Sequence, residues 1–340
     1  MKAMVLYKFG SPLEMRDTET PRIGSDEVLV KVKACGICHT DLKIQAGVVP
    51  TVKPPRIMGH EVAGEVAEIG HEVSDVKKGD HVVLYAYRTC GVCYHCRIAK
   101  ENLCSNLFRL GRLGFEIDGG YAEYVKAPAR NTFKISERVP YEEAAVLPDA
   151  VVVPFHAIRK HVASGDDVVV IGLGGLGIHG LQVAKACGAK TIAATHTQEK
   201  VALAKELGAD EAVNTTEATL PEEVKRFTGG KGADVVIDTV GIPKTLEQGL
   251  KSLTSGGKLV IIGYEYGQNY QISPQHVAYS DIQIVGSRGG TRQDLADAIK
   301  MLELGRIKPI LNKMFPLSDA NKALELLKEE NPIGRVALKP

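Results

Sequence analysis

A run of glycines, Gly172-Leu173-Gly174-Gly175-Leu176-Gly177, lies between an apolar segment at 168–171 and a helical pattern that runs through Leu181 to Cys187. Glycines at that junction allow a tight turn and let backbone approach a pyrophosphate, whose charge a helix N-terminus stabilises. Short apolar segments recur beyond it at 191–194, 235–238, 258–262 and 282–285, with helical periods between them. Gly208 closes the periodic run 201–207, while Thr291 and Asp294 form a capping-box pattern opening a helix that Gly305 ends. The second half is therefore expected to be a βαβ series with a doubly wound parallel sheet.

Before about residue 150 the period is different. Val28, Val30, Val32 and Ala34 alternate with Leu29, Lys31 and Lys33, and strand-like segments return at 81–85 and 121–126, between turns such as Val52-Lys53-Pro54-Pro55 and Asp118-Gly119-Gly120. This half reads as β-rich and barrel-like. A length of 340 residues accommodates both cores.

Charge excludes several classes of function. The 42 Lys and Arg balance 41 Asp and Glu without a basic block, so neither nucleic acid nor a membrane surface is an expected partner. The uncharged stretch 168–184 is broken by five glycines, a His and a Gln, so it is not a spanning helix. The first ten residues carry Lys2 and Lys8 and lack the apolar core of a signal peptide, which sets the expectation of a cytoplasmic protein. Six of the seven cysteines fall in two groups, which in such a chain reads as metal binding.

Cys90-x2-Cys93-x2-Cys96-x7-Cys104 is the most specific local signal, since four thiolates on a short loop close a tetrahedral zinc site with no open position. A second constellation is spread out: Cys38-His39-Thr40-Asp41 and Gly59-His60-Glu61. A thiolate and an imidazole suit zinc, with a hydroxyl and carboxylates nearby for proton transfer and ligand support. At the end of the second strand of the βαβ series, where an acid usually accepts the adenosine ribose 2′-hydroxyl, the chain has Thr195-His196-Thr197. A neutral end accepts a 2′-phosphate, and His196 or Lys200 supplies positive charge, so NADP(H) is expected in preference to NAD(H).

Taken in order, Gly36-Ile37-Cys38-His39-Thr40-Asp41, Gly59-His60-Glu61, the four-cysteine segment, Asp118-Gly119-Gly120-Tyr121-Ala122-Glu123-Tyr124 and the glycine run resemble the zinc-containing medium-chain dehydrogenase/reductase family, alcohol dehydrogenase type, over essentially the whole chain. The resemblance implies an α/β fold: a GroES-like β-rich catalytic domain over 1–152, a Rossmann doubly wound parallel-sheet domain over 153–288, and a C-terminal return to the catalytic domain over 289–340. It implies two zinc ions per chain, with Cys38 and His60 as catalytic ligands and Asp149 in place of the thiolate that many relatives use. Glu61 matches a carboxylate that approaches the metal, Asp41 a support for the ligand histidine, and Thr40 the hydroxyl that takes the substrate proton. Cofactor contacts are implied for Gly172, Gly174, Gly175, Leu176 and Gly177, and at the pyrophosphate for His39 and Arg335. The implied reaction is reversible hydride transfer between a primary or secondary alcohol and NAD(P) in a homodimer or homotetramer. Lys43 stands where the family's proton relay often continues with His. The alternatives are an enoyl-thioester or quinone reductase of the same superfamily, or a catalytically silent cofactor-binding protein.

Overall fold

A computed structural model describes residues 1–329 and 332–340. The chain divides into two units: Met1–Val152 with Gly290–Leu304 and Pro309–Pro340, and Val153–Gly289 with Gly305–Lys308.

The first unit begins with β1 (Lys2–Leu6), β2 (Glu14–Asp17), β3 (Glu27–Ile37), α1 (His39–Gln45), β4 (Arg56–Ile57), β5 (Glu61–Ile69), β6 (His81–Leu84), the short helices α2 (Tyr94–Arg97) and α3 (Leu107–Leu110), β7 (Tyr124–Pro128), β8 (Thr132–Lys134) and α4 (Tyr141–Ala145). The second carries α5 (Val152–His161), β9 (Asp167–Ile171), α6 (Gly175–Ala186), β10 (Lys190–Thr195), α7 (Gln198–Glu206), β11 (Glu211–Asn214), α8 (Leu220–Phe227), β12 (Ala233–Asp238), α9 (Pro243–Ser252), β13 (Leu253–Ile261), α10 (Pro274–Tyr279) and β14 (Gln283–Gly286). The chain then returns to the first unit with α11 (Arg292–Glu303), β15 (Leu311–Pro316), α12 (Ala320–Glu329) and β16 (Arg335–Lys339).

In the first unit a large sheet runs β15-β16-β3-β5-β6-β8, with β7 also on β3, and a small one runs β2-β1-β4. The alternation read along β3 is realised: Val28, Val30, Val32 and Ala34 are buried while Lys31 is exposed. Register is what assembles the centre described below. Gly36 faces Glu61 on β5 and Ala337 on β16, which brings the end of β3 and the starts of β5 and β16 to one point. A side chain at Gly36 would sit 2.1 Å from the Glu61 carboxylate, so only glycine leaves that carboxylate room.

The expected strand at 121–126 begins only at Tyr124. Residues 119–121 instead bond back to the segment before His60, Gly119 N–H to Ile57 O at 2.8 Å, Gly120 N–H to Gly59 O at 2.8 Å and Tyr121 N–H to Met58 O at 2.9 Å. Backbone donors satisfied by a turn are not available to a ladder.

In the second unit all six strands are parallel, in the order β11-β10-β9-β12-β13-β14. This is the doubly wound order whose switch point lies beside the first strand. Val168, Val169, Val170, Val236 and Ile237 are fully buried, as a sheet covered on both faces requires. The Thr291–Asp294 capping box opens α11 as its sequence pattern indicates.

Candidate metal centres and dinucleotide turn

Cys38, His60, Glu61 and Asp149 converge in the first unit, with one donor atom from each lying within 4.8 Å of the others. Cys38 ends β3 and caps α1: its Sγ accepts the Thr40 N–H at 3.1 Å, and its own N–H goes to Asp41 Oδ2 at 2.8 Å. His60 and Glu61 come from the start of β5, and Asp149 from a single π-helical turn, Leu147–Val151, between α4 and α5. Such turns re-aim one side chain out of helical register and are frequent at functional sites. Cys38 Sγ and His60 Nε2 stand 3.4 Å apart. Tetrahedral zinc with ordinary Zn–S and Zn–N bonds separates two such ligands by about 3.5 Å, so the pair fits the ion.

Charge makes the same point. Burial pushes the Cys38 thiol above its usual range, although His60 pulls the other way. Burial also opposes charge on His60, but Asp41 and Cys38 outweigh it and hold the imidazole well above its ordinary value. The Glu61 carboxyl is pushed up to about 8 by burial, with Arg335 acting against the shift and Asp149 adding to it. Arg335 meets part of this negative charge, and a thiolate, an imidazole and carboxylates are the donor set that zinc takes. His60 Nδ1 faces Asp41 Oδ1 at 3.5 Å, the side opposite the thiolate.

The second cluster is Cys90, Cys93, Cys96 and Cys104. Its sulfur separations include 3.9 Å (Cys90 to Cys96), 3.5 Å (Cys93 to Cys96), 3.9 Å (Cys93 to Cys104) and 3.6 Å (Cys90 to Cys104). These are too long for disulfides and match the about 3.8 Å edge of a tetrahedral zinc–thiolate site. Backbone donors face the sulfurs, Cys93 N–H to Cys90 Sγ at 3.3 Å and Cys90 N–H to Cys104 Sγ at 3.4 Å. The N–H groups of Val92 and Cys93 bring the Cys90 thiol down to about 5.

In the second unit the glycine run forms the turn from β9 into α6. Gly172 has φ +85°, and a side chain there would meet Val240 at 2.4 Å. At Gly177 a Cβ would lie 1.7 Å from Gly172 O, whereas at Gly174 it would meet nothing within 4 Å. Two glycines thus permit the fold, and the third leaves open space before the first turn of α6, a cradle that fits a dinucleotide pyrophosphate. Gly175 and Leu176 open the helix itself. Thr239 braces the turn, its hydroxyl 2.9 Å from both Ile171 O and Gly172 O, and the buried Asp238 accepts from Val240 N, Gly241 N and the Thr245 hydroxyl. Thr239 does not stand out in the sequence, because its partners meet it only when β12 pairs with β9.

Thr40 and His39 start α1, half-buried and exposed respectively. Thr195 ends β10 with a buried side chain, His196 is exposed, and Thr197 caps α7 by accepting the Lys200 N–H at 3.4 Å. Lys200 lies on α7 with its side chain buried, and burial lowers its pKa. Arg335 is 4% exposed, with Nη2 at 2.9 Å from Glu61 and in contact with Asp149. A buried guanidinium must be paired, and the register of β16 against β3 sets it beside these carboxylates.

Comparison with known proteins places this architecture. The alcohol dehydrogenase GroES-like domain family matches residues 24–137, and the zinc-binding dehydrogenase family matches 175–303. An alcohol dehydrogenase of Geobacillus stearothermophilus is 38% identical over 100% of this chain and 99% of its own. An acryloyl-coenzyme A reductase of Metallosphaera sedula is 34% identical over 99% of each. A crystal structure of an NAD-dependent alcohol dehydrogenase superposes with a TM-score of 0.94 at 34% identity, covering 100% of both chains. The chain belongs to the zinc-containing medium-chain dehydrogenase/reductase family, alcohol dehydrogenase type. It is an oxidoreductase with a GroES-like domain and a Rossmann domain. Among the described residues no helix is long and apolar enough to cross a membrane.

Proposed function

We propose that the chain is a zinc-dependent alcohol dehydrogenase that transfers hydride reversibly between a primary or secondary alcohol and NADP, with NADP(H) preferred over NAD(H). The convergence of Cys38, His60, Glu61 and Asp149 on one buried point carries the reading. A zinc ion held there supplies a Lewis acid that lowers the pKa of a substrate hydroxyl, and a nicotinamide supplies the hydride acceptor. Cys38, His60 and Asp149 are its ligands, and Glu61 is a second carboxylate within reach. Asp41 orients the His60 ring, and Thr40 at the start of α1 accepts the substrate proton. The four-cysteine cluster holds a second, structural zinc.

Gly172, Gly174 and Gly177 with the N-terminus of α6 seat the pyrophosphate. The preference for NADP(H) rests on the stretch 195–197, which has no carboxylate to repel a 2′-phosphate. The structural neighbour described as NAD-dependent points the other way, so the comparison is made directly. NADPH is expected to exceed NADH at least tenfold in kcat/KM, and His196→Asp to reverse that order. Equal use of both coenzymes by the unaltered protein would refute the preference. None of the seven cysteines is in a disulfide, which supports a cytoplasmic setting.

The reductase relative, and the Arg335 guanidinium set between Glu61 and Asp149, favour a second reading: reduction of an activated C=C in a thioester. A panel of ketones, aldehydes and acryloyl thioesters separates the two. Reduction of ketones or aldehydes that ceases on zinc removal supports the dehydrogenase, whereas thioester reduction indifferent to a chelator would replace it.

A further inference from the structure

Among the described residues, the buried polar atoms near the mixed-ligand centre without a hydrogen-bond partner include Tyr121 Oη, Asp41 Oδ1 and His60 Nδ1. They belong to neighbours. His60 Nδ1 lies 3.5 Å from Asp41 Oδ1, and the Tyr121 hydroxyl sits beside the same Asp41 carboxylate. Tyr121 is 0% exposed, so water cannot serve its hydroxyl from bulk, and a buried donor left unmet is destabilising.

The ring of Tyr121 is locked as well. It lies against Gly59, which has φ +95°, and a Cβ on Gly59 would come within 2.4 Å of Tyr121 Cδ1. Its backbone is tied to the segment before His60 through Met58 O. One side chain therefore touches both pieces of chain that bring the first two ligands: its ring packs on the turn leading into His60, and its hydroxyl lies beside Asp41, whose Oδ2 accepts the Cys38 N–H at 2.8 Å. Burial holds the proton on the phenol, which keeps it a donor.

We propose that Tyr121 is a positioning residue of the metal centre, donating a hydrogen bond to Asp41 that aims this carboxylate at His60 Nδ1 and so fixes the tautomer that offers Nε2 to the metal. The inference rests on the reading of Cys38, His60 and Asp149 as zinc ligands. It separates two parts of one side chain, the ring as packing and the hydroxyl as an aiming device, and Phe at this position would keep only the first.

The test uses the full-length zinc-loaded protein. Zinc release to a chromogenic chelator is followed for the unaltered chain, Tyr121→Phe, Asp41→Asn and the double variant. Tyr121→Phe is expected to release the mixed-centre zinc about tenfold faster, in the range that outer-shell partners command. The four-cysteine zinc and the melting temperature should not change. Because the hydroxyl acts through Asp41, the double variant is expected to be no faster than Asp41→Asn alone. Release by Tyr121→Phe at the unaltered rate would overturn the proposal while leaving the zinc reading intact, as would additive effects in the double variant. A parallel loss of the four-cysteine zinc or of thermal stability would reduce the effect to packing and also overturn it. If the unaltered chain releases only the four-cysteine zinc, the reading beneath the proposal fails with it.

Discussion

The four-cysteine lobe draws all its ligands from the stretch between Cys90 and Cys104, whereas the mixed centre collects Cys38, His60, Glu61 and Asp149 from three distant parts of the chain. Three of the lobe's thiols are only half-buried, and backbone N–H groups of the same segment face its sulfurs. At the mixed centre Cys38, His60 and Glu61 are buried, and they are held by side chains, Asp41 and Arg335, that come from other elements. A local site depends on its loop; a distributed one depends on sheet register. The first is expected to respond to change as a stability element and the second as a chemical one.

The largest effect should come from the distributed centre. His60→Ala is expected to lower turnover on the order of a thousandfold or more, the several kcal/mol that a Lewis acid contributes, with NADPH affinity nearly retained. Steady-state kinetics and a fluorescence titration check both halves; joint loss of binding and turnover would erase the distinction. Cys90→Ser should act through the fold instead. Loss of the lobe zinc is expected to lower the melting temperature by about 5 °C or more, at roughly 2–4 °C per kcal/mol for units of this size. A calorimetric scan with no shift would count against a structural role.

Arg335→Gln sharpens the contrast, because it strands Glu61 and Asp149 without their shared cation. With zinc chelated, urea unfolding is expected to show a loss of about 3–5 kcal/mol, the penalty for a broken buried pair. With zinc bound the loss should be smaller, since the ion neutralises the same carboxylates. An equal loss in both states would contradict the assigned neighbourhood.

The smallest effect is expected beside the centre, where Arg112 meets Glu116 at 2.6 Å and lies 4.0 Å over the ring of Phe115, which packs against His60. Burial opposes ionisation of Glu116, but the bonds from Arg112 and Thr51 prevail and its carboxyl titrates below the usual range. A depressed carboxyl adds stability above its unfolded pKa and loses it as pH falls through the folded one. Glu116→Gln should therefore cost about 2 kcal/mol at neutral pH and progressively less below about pH 4.5, as denaturant melts across that range will show.

How much of this was legible in the sequence follows the same division. The Cys90–Cys104 spacing and the glycine run announce themselves because their partners are local. So do the alternation along β3 and the Thr291–Asp294 cap. Cys38, His60 and Asp149 were assigned through likeness to a family, since nothing in their spacing brings them together. The burial of Arg335 against carboxylates is likewise hidden in the sequence, because only the pairing of β16 with β3 brings them together. Tyr121 read as the first residue of a strand, and its place beside Asp41 depends on a turn that spends its N–H on Met58.

Elemental analysis of zinc per chain, on protein purified without added metal and compared with Cys38→Ser and Cys90→Ser, tests the central claim most directly. Two zinc ions are expected in the unaltered chain. Cys38→Ser should keep one with its melting temperature nearly unchanged, and Cys90→Ser should keep one with its fold weakened. A single zinc in both the unaltered chain and Cys38→Ser would contradict the account, leaving the lobe as the only metal site and removing the chemical basis assigned to the mixed centre.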